Sequence, residues 1–135
     1  SHCAAAAATY GIRVRFEAPK EPVFIYADPL KLSQVLRNLL YNAINHTPEG
    51  DVITVSLEPK SNRTVRLSVM NPGTPISEED KKIIWERYQR SQHQNGRRLG
   101  TGIGLSIVST ILKAHQMPYG VDCKNGYNDF WFLCR

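Results

Sequence analysis

A chain of 135 residues with 41% hydrophobic side chains holds apolar material for one ordinary globular core, so a single domain is the default. Its formal charge of +5, from 17 Lys and Arg against 12 Asp and Glu, suits an anionic partner and leaves phosphate ligands and nucleic acid both open. The three cysteines, Cys3, Cys123 and Cys134, lack C-x-x-C spacing and leave one unpaired, which argues against a zinc site and a secreted disulfide framework and favours a reducing cytosol.

No apolar run approaches the ~20 residues of a membrane span, so the chain reads as soluble. The opening "SHCAAAAATYG" lacks the basic region and long apolar core of a signal peptide. Residues 1–10 are set aside as a cloning remnant or the end of an upstream helix or linker, which leaves 11–135 as the domain.

Residues 12–16, "IRVRF", and 23–26, "VFIY", read as short strands from their β-branched and aromatic content. Asp28-Pro29 then starts a helix from Leu30 to about His46, with Leu32, Val35, Leu36, Leu39 and Ala43 on one apolar stripe. Residues 52–57 and 64–70 alternate around the turn "PKSN" and predict a hairpin. Ser77, with Asp80 three residues on, caps a short helix over 78–88. The polar stretch 89–99, "QRSQHQNGRRL", reads as a solvated loop, and 103–115 as a helix carrying Leu105, Val108, Ile111 and Leu112. Residues 119–123 and 129–134 form a final hairpin around "KNGYND". Grouped strands beside three helices imply an α+β two-layer sandwich with the helices on one sheet face.

Three polar constellations interrupt this pattern. Asn38, Asn42 and Asn45 fall within roughly 60° of one another beside the apolar stripe of their helix. Each costs about half a kcal/mol against Ala in a helix interior, and an amide offers a carbonyl to a hard cation and an N–H to a phosphate. Taken alone, the edge is equally well a solvated helix face. In "SVMNPGTPIS", Asn71 ends a strand where it could read the edge of a base and Gly73 lets the backbone pass close, although composition alone favours a plain tight loop. In "LGTGIGLS", glycines 100, 102 and 104 precede a helix and make a nest for a polyanion, with Arg97 and Arg98 beside it. An ordinary flexible connection would carry the same glycines. Neither a Walker loop nor a dinucleotide fingerprint fits, because no G-K-[ST] follows and no strand precedes.

In order, "DPLKLSQVLRNLLYNAINHT", "VMNPGTPI", "IWERYQRS" and "GTGIGLSIV" resemble the N, G1, F and G2 boxes of the ATP-binding domain of bacterial sensor histidine kinases. The resemblance covers about residues 12–133. It implies the Bergerat fold shared with gyrase, Hsp90 and MutL ATPases, a mixed sheet of about five strands under three helices. It also implies ATP and Mg2+ as cofactors, with Asn42 as metal ligand and Asn38, Arg87 and Arg90 as the catalytic set. The implied ATP contacts are Asn38, Asn42, Asn45 and His46 in the first box, Asn71, Gly73 and Ile76 in the second, and Tyr88 in the third. Arg98, Leu99, Gly100, Thr101, Gly102, Ile103, Gly104 and Leu105 complete them, with 91–99 as a lid.

The chain departs from the pattern where Asn71 replaces an aspartate that binds the adenine amine, Asn45 a frequent lysine, and Pro75 a glycine. An amide at 71 still accepts from that amine, without charge assistance. Position 38 lacks the glutamate by which gyrase-like ATPases activate water, which favours transfer to a protein acceptor over hydrolysis.

None of His2, His46, His93 or His115 has the H-E-[LI]-[RK]-[ST]-P context of the phosphorylated histidine. The implied acceptor is therefore a dimerisation and histidine phosphotransfer domain of the parent, with a response regulator downstream. The parent is expected in the cell membrane, with this domain on the cytoplasmic side and negligible autophosphorylation in isolation. Alternative readings are a nucleotide-sensing module with weakened catalysis and a gyrase- or MutL-like ATPase. A nucleic-acid partner is not expected, since the basic residues show no aromatic interleaving.

Overall fold

The computed structural model describes residues 2–61, 63–86 and 104–135. In chain order these form α1 (His2–Thr9), β1 (Arg13–Glu17), α2 (Pro29–His46), β2 (Val52–Pro59), β3 (Val65–Pro72), α3 (Glu78–Ile83), α4 (Gly104–Ala114), β4 (Tyr119–Lys124) and β5 (Tyr127–Cys134). The strands make one mixed sheet in the order β1-β2-β3-β5-β4. β1 runs parallel to β2, which requires a crossover, and α2 provides it; the other pairings are antiparallel. The expected α+β sandwich is present, with four helices among the described residues instead of three.

Local chemistry explains where α2 begins. The Asp28 carboxylate accepts from the Leu30 and Lys31 amides at 2.9 and 3.3 Å, and Pro29 fills the first helical position, where an N–H has no partner to lose. Its stripe then buries Val35, Leu39, Ala43 and Ile44, with Leu32 and Leu36 partly buried beside them. α4 contributes Val108 and Leu112, and the sheet supplies Ile53, Leu67, Val69, Phe130 and Phe132. Alternation in β5 points Phe130 and Phe132 to the helices and Trp131 away from them.

That outer face is armoured. The Arg66 guanidinium lies 4.9 Å over the Trp131 ring and pairs with Asp129 at 3.0 Å and Asp122 at 3.5 Å. Trp131 in turn lies across Gly120, where a β-carbon would come within 2.8 Å of the indole.

Three expectations need correction. Residues 23–26 alternate like a strand, with Val23 and Ile25 against the core and Phe24 and Tyr26 89% and 94% exposed, yet form no ladder; the Tyr26 N–H donates to the Arg135 carbonyl at 3.1 Å, past the end of β5. α3 stops at Ile83 and not at residue 88, although its cap forms as expected, with Ser77 Oγ accepting from the Asp80 N–H at 3.0 Å. The last turn is not the five residues 124–128 but two. Asn125 (φ 51°) and Gly126 (φ 80°) take the left-handed backbone of a type I′ turn, which matches strand twist and moves Tyr127 and Asn128 into β5. Within residues 1–10, α1 packs on α2 and β1 with Cys3 and Ala7 buried, and the Ile12 N–H returns to the Ala7 carbonyl at 2.9 Å.

All three cysteines are free, and burial pushes the Cys134 thiol up to about 11. No described helix is long and apolar enough to cross a membrane. The core and the cap should differ in scale. Phe132, fully buried, is expected to cost about 3–5 kcal/mol on truncation to Ala. Asp28→Ala should cost about 1 kcal/mol with an unchanged denaturant slope, both read by urea unfolding.

Candidate functional site

Burying the apolar stripe of α2 places its flanking residues at the rim of the helix–sheet interface, and Asn38, Asn42, Asn45 and His46 are all half-buried there. Asn38 Oδ1 lies 3.4 Å from the point a β-carbon on Gly104 would occupy, so its amide reaches the first residue of α4. A helix start carries unpaired N–H groups and a partial positive charge, which suits an anion. One turn along, Asn42 Nδ2 is buried and has no hydrogen-bond partner among the described residues. Leaving such a group unpaired costs on the order of 1–3 kcal/mol.

The far end of the edge meets the sheet. Asn71, 1% exposed at the end of β3, donates through Nδ2 to the Pro72 carbonyl at 3.1 Å, while its Oδ1 is buried without a partner among the described residues. Gly73 has φ +150°, and a β-carbon there would sit 3.2 Å from the His46 carbonyl and 3.7 Å from Asn71 Nδ2. Only glycine lets the chain pass this close to the end of α2.

Beyond it the loop is tied to the last hairpin. The Gly73 N–H donates to the Gly126 carbonyl at 3.1 Å, and Asn128 donates to the Thr74 carbonyl at 2.9 Å and accepts from the Ile76 N–H at 3.3 Å. The Cys123 thiol, 2.9 Å from Asn128 Oδ1, completes the cluster. Ile76 and Leu105 are partly buried and pack against the core.

Asn38 and His46 are eight residues apart, about 12 Å along the helix, so the edge is long enough to lie beneath an extended ligand. One end offers a helix start and an amide, the other an unpartnered acceptor above a close-packed glycine. Among the described residues no group of three or more His, Cys, Asp or Glu could hold a metal unaided. The neutral amides do fit a hard cation that brings its own anionic oxygens, because a carbonyl can fill one coordination position and phosphates and water the rest. Asn42 would be that carbonyl.

The structure thus brings together Asn38, Asn42, His46, Asn71, Gly73 and Gly104, with Asn45 on the same helix edge. Arg87, Tyr88, Arg90, Arg98, Leu99, Gly100, Thr101, Gly102 and Ile103, with the expected lid at 91–99, lie outside the described residues. Sequence reasoning missed Asn128, whose setting in "KNGYND" looks like turn chemistry; the Asn-Gly pair just before it is the signal that the turn is short and that position 128 belongs to a strand.

A profile of the histidine kinase-, DNA gyrase B-, and HSP90-like ATPase family matches residues 27–133. The chain belongs to that family. It is similar to the adaptive-response sensory kinase SasA of Nostoc, 34% identical over 120 residues that make up 89% of this chain and 29% of that protein. The chain therefore spans less than a third of the length of such curated relatives. The solved catalytic domain of histidine kinase ThkA matches with a TM-score of 0.81 at 31% identity, over 95% of this chain and 81% of that one. Full-length ShkA in complex with AMPPNP also matches at a TM-score of 0.81 and 27% identity, over 98% of this chain and 27% of that one. ThkA has further been solved with the response regulator protein TrrA, at a TM-score of 0.75 and 30% identity over 95% of this chain and 35% of that one.

Burial lowers the His46 pKa below its ordinary 6.5, so the folded domain holds the imidazole neutral where the unfolded chain takes up a proton. Above pH 6.5 both states are neutral and stability is full, and it is lost progressively as pH falls from that unfolded value through the lower folded one. The melting temperature of the wild type should drop between pH 7 and 5, and His46→Gln should flatten this part of the profile.

Proposed function

We propose that this domain binds Mg-ATP along the polar edge of α2 and donates the γ-phosphate to a histidine on a dimerisation domain outside this chain, as the catalytic part of a two-component sensor kinase. One observation carries the reading: Asn42 Nδ2, a donor on the α2 edge, and Asn71 Oδ1, an acceptor at the end of β3, are both buried without a hydrogen-bond partner among the described residues. The family membership and the AMPPNP bound to ShkA support the choice of nucleotide.

In this reading Asn71 Oδ1 accepts from the adenine amine and Gly73 leaves room for the ring. Asn38 and the start of α4 orient the terminal phosphates. Asn42 would hold magnesium through its carbonyl, and the metal when bound neutralises phosphate charge. Asn45 and His46 line the sugar and phosphate path, with Ile76 and Leu105 as its apolar walls. The family resemblance assigns Arg87 and Arg90 to the terminal phosphate, 91–99 to a lid and Gly100 and Gly102 to its hinge. Position 38 has no carboxylate to deprotonate water, so the nucleotide is positioned for an incoming histidine nitrogen and not for hydrolysis. The ThkA complex with TrrA supports a response regulator as the downstream partner.

Calorimetry with ADP and a non-hydrolysable ATP analogue, with and without Mg2+, tests binding. Asn42→Ala should abolish the magnesium-dependent part of the affinity and leave the remainder, whereas a purely structural amide would leave both unchanged. Labelled γ-phosphate should appear on a histidine-bearing dimerisation domain supplied in trans and not on this domain alone. Acid-labile phosphate on the isolated domain, or no nucleotide uptake at millimolar concentration, would overturn the proposal.

A further inference from the structure

We infer that Asn128 is a positioning residue of the base pocket: its side-chain amide clamps the loop 73–76 so that the Asn71 carbonyl stays open, and it thereby sets selectivity for a 6-aminopurine. This rests on the nucleotide reading above.

The β3–β5 register sets Asn128 directly opposite Asn71, and alternation turns both toward the helices, where they are 4% and 1% exposed. Two buried amides so placed could satisfy one another. Instead Asn128 is committed to the loop. Its Nδ2 donates to the Thr74 carbonyl at 2.9 Å, and its Oδ1 accepts from the Ile76 N–H at 3.3 Å and faces the Cys123 thiol at 2.9 Å.

Thr74 and Ile76 flank Pro75, which has no N–H to give to a ladder. The amide of Asn128 therefore stands in for the neighbouring peptide group that a strand would have supplied, taking one carbonyl and one N–H across the proline. The same loop carries Gly73, whose N–H donates to the Gly126 carbonyl and where a β-carbon would meet the His46 carbonyl at 3.2 Å. Fixing 74 and 76 keeps Gly73 in that seat and leaves Asn71 Oδ1 without a protein partner among the described residues.

An amide spent in this way does not read the base. It decides whether the residue that does so is presented correctly. Removing it should impair recognition of the base and leave the phosphate end of α2 intact, a split that general destabilisation would not produce.

The test compares ADP, IDP, which lacks the exocyclic amine, and magnesium tripolyphosphate, which lacks the base, on wild type, Asn128→Ala and Asn128→Asp. The alanine variant should bind ADP about tenfold more weakly, with the ADP-to-IDP ratio falling toward one and tripolyphosphate affinity held within about twofold. Amide exchange at Ile76 in the free protein should accelerate at the same time. Asn128→Asp keeps the acceptor for Ile76 but opposes the Thr74 carbonyl with an oxygen, so it should fall between the two; if the alanine variant does not fold, this variant and its Ile76 exchange decide.

A wild type that discriminates while both variants keep affinity, ratio and exchange overturns the role of Asn128 alone. Parallel loss for all three ligands, tracking melting temperature, overturns it as well. A wild type that takes up no ADP, or does not distinguish it from IDP, removes the assignment of Asn71 and this inference together.

Discussion

The packing of α2 into the groove between α4 and β3 fixes where three asparagines end up, and the rest of the site follows from that one contact. Val35, Leu39, Ala43 and Ile44 are fully or almost fully buried, which leaves the helix no freedom to roll. A rotation that exposed Asn42 fully would lift the stripe out of the core. The amide edge is thus held at a fixed depth, half in the interface and half out, by apolar side chains that have no part in the chemistry. Hydrophobic packing here acts as the jig that holds polar groups in a setting they would not choose for themselves.

The two ends of that edge are built differently. At the Gly104 end the site is formed by a second helix start, so its character comes from the backbone. At the Asn71 end it is formed by a strand running out of the sheet, and the loop beyond needs separate support from the β4–β5 hairpin because a proline breaks its ladder. The domain therefore couples the last hairpin of the chain to a site whose most visible motif lies on α2, and a loss of order in that hairpin would be felt first by Gly73 and Asn71.

Much of this was legible before any coordinates. The stripe of α2, the Asp28 cap, the β2–β3 hairpin and the Ser77 cap rest on local chemistry that reads directly from side chains, and the asparagine edge follows from helical periodicity. What escaped depends on tertiary accounting. "VFIY" has the composition and alternation of a strand, yet whether it pairs is settled by the sheet, and among the described residues its backbone meets the Arg135 carbonyl without forming a ladder. The alanine run of α1 carries little periodic signal, so its seat on α2 and β1 is visible only in the tertiary structure. Asn128 escaped because one displaced turn boundary changes a loop asparagine into an inward-facing strand residue.

The two tryptophans stand on opposite sides of the sheet. Trp131 is locked on the outer face under Arg66. Trp85 lies on the helix side, edge-on to Tyr119 and Phe130 with centroids 4.9 and 5.7 Å away, and its carbonyl accepts from Ser109 of α4. The molecule accordingly carries its own pair of optical probes, one blind to events among the helices and one seated where α3 and α4 meet. A shift in intrinsic emission that persists in Trp131→Phe and vanishes in Trp85→Phe locates its origin without any added label.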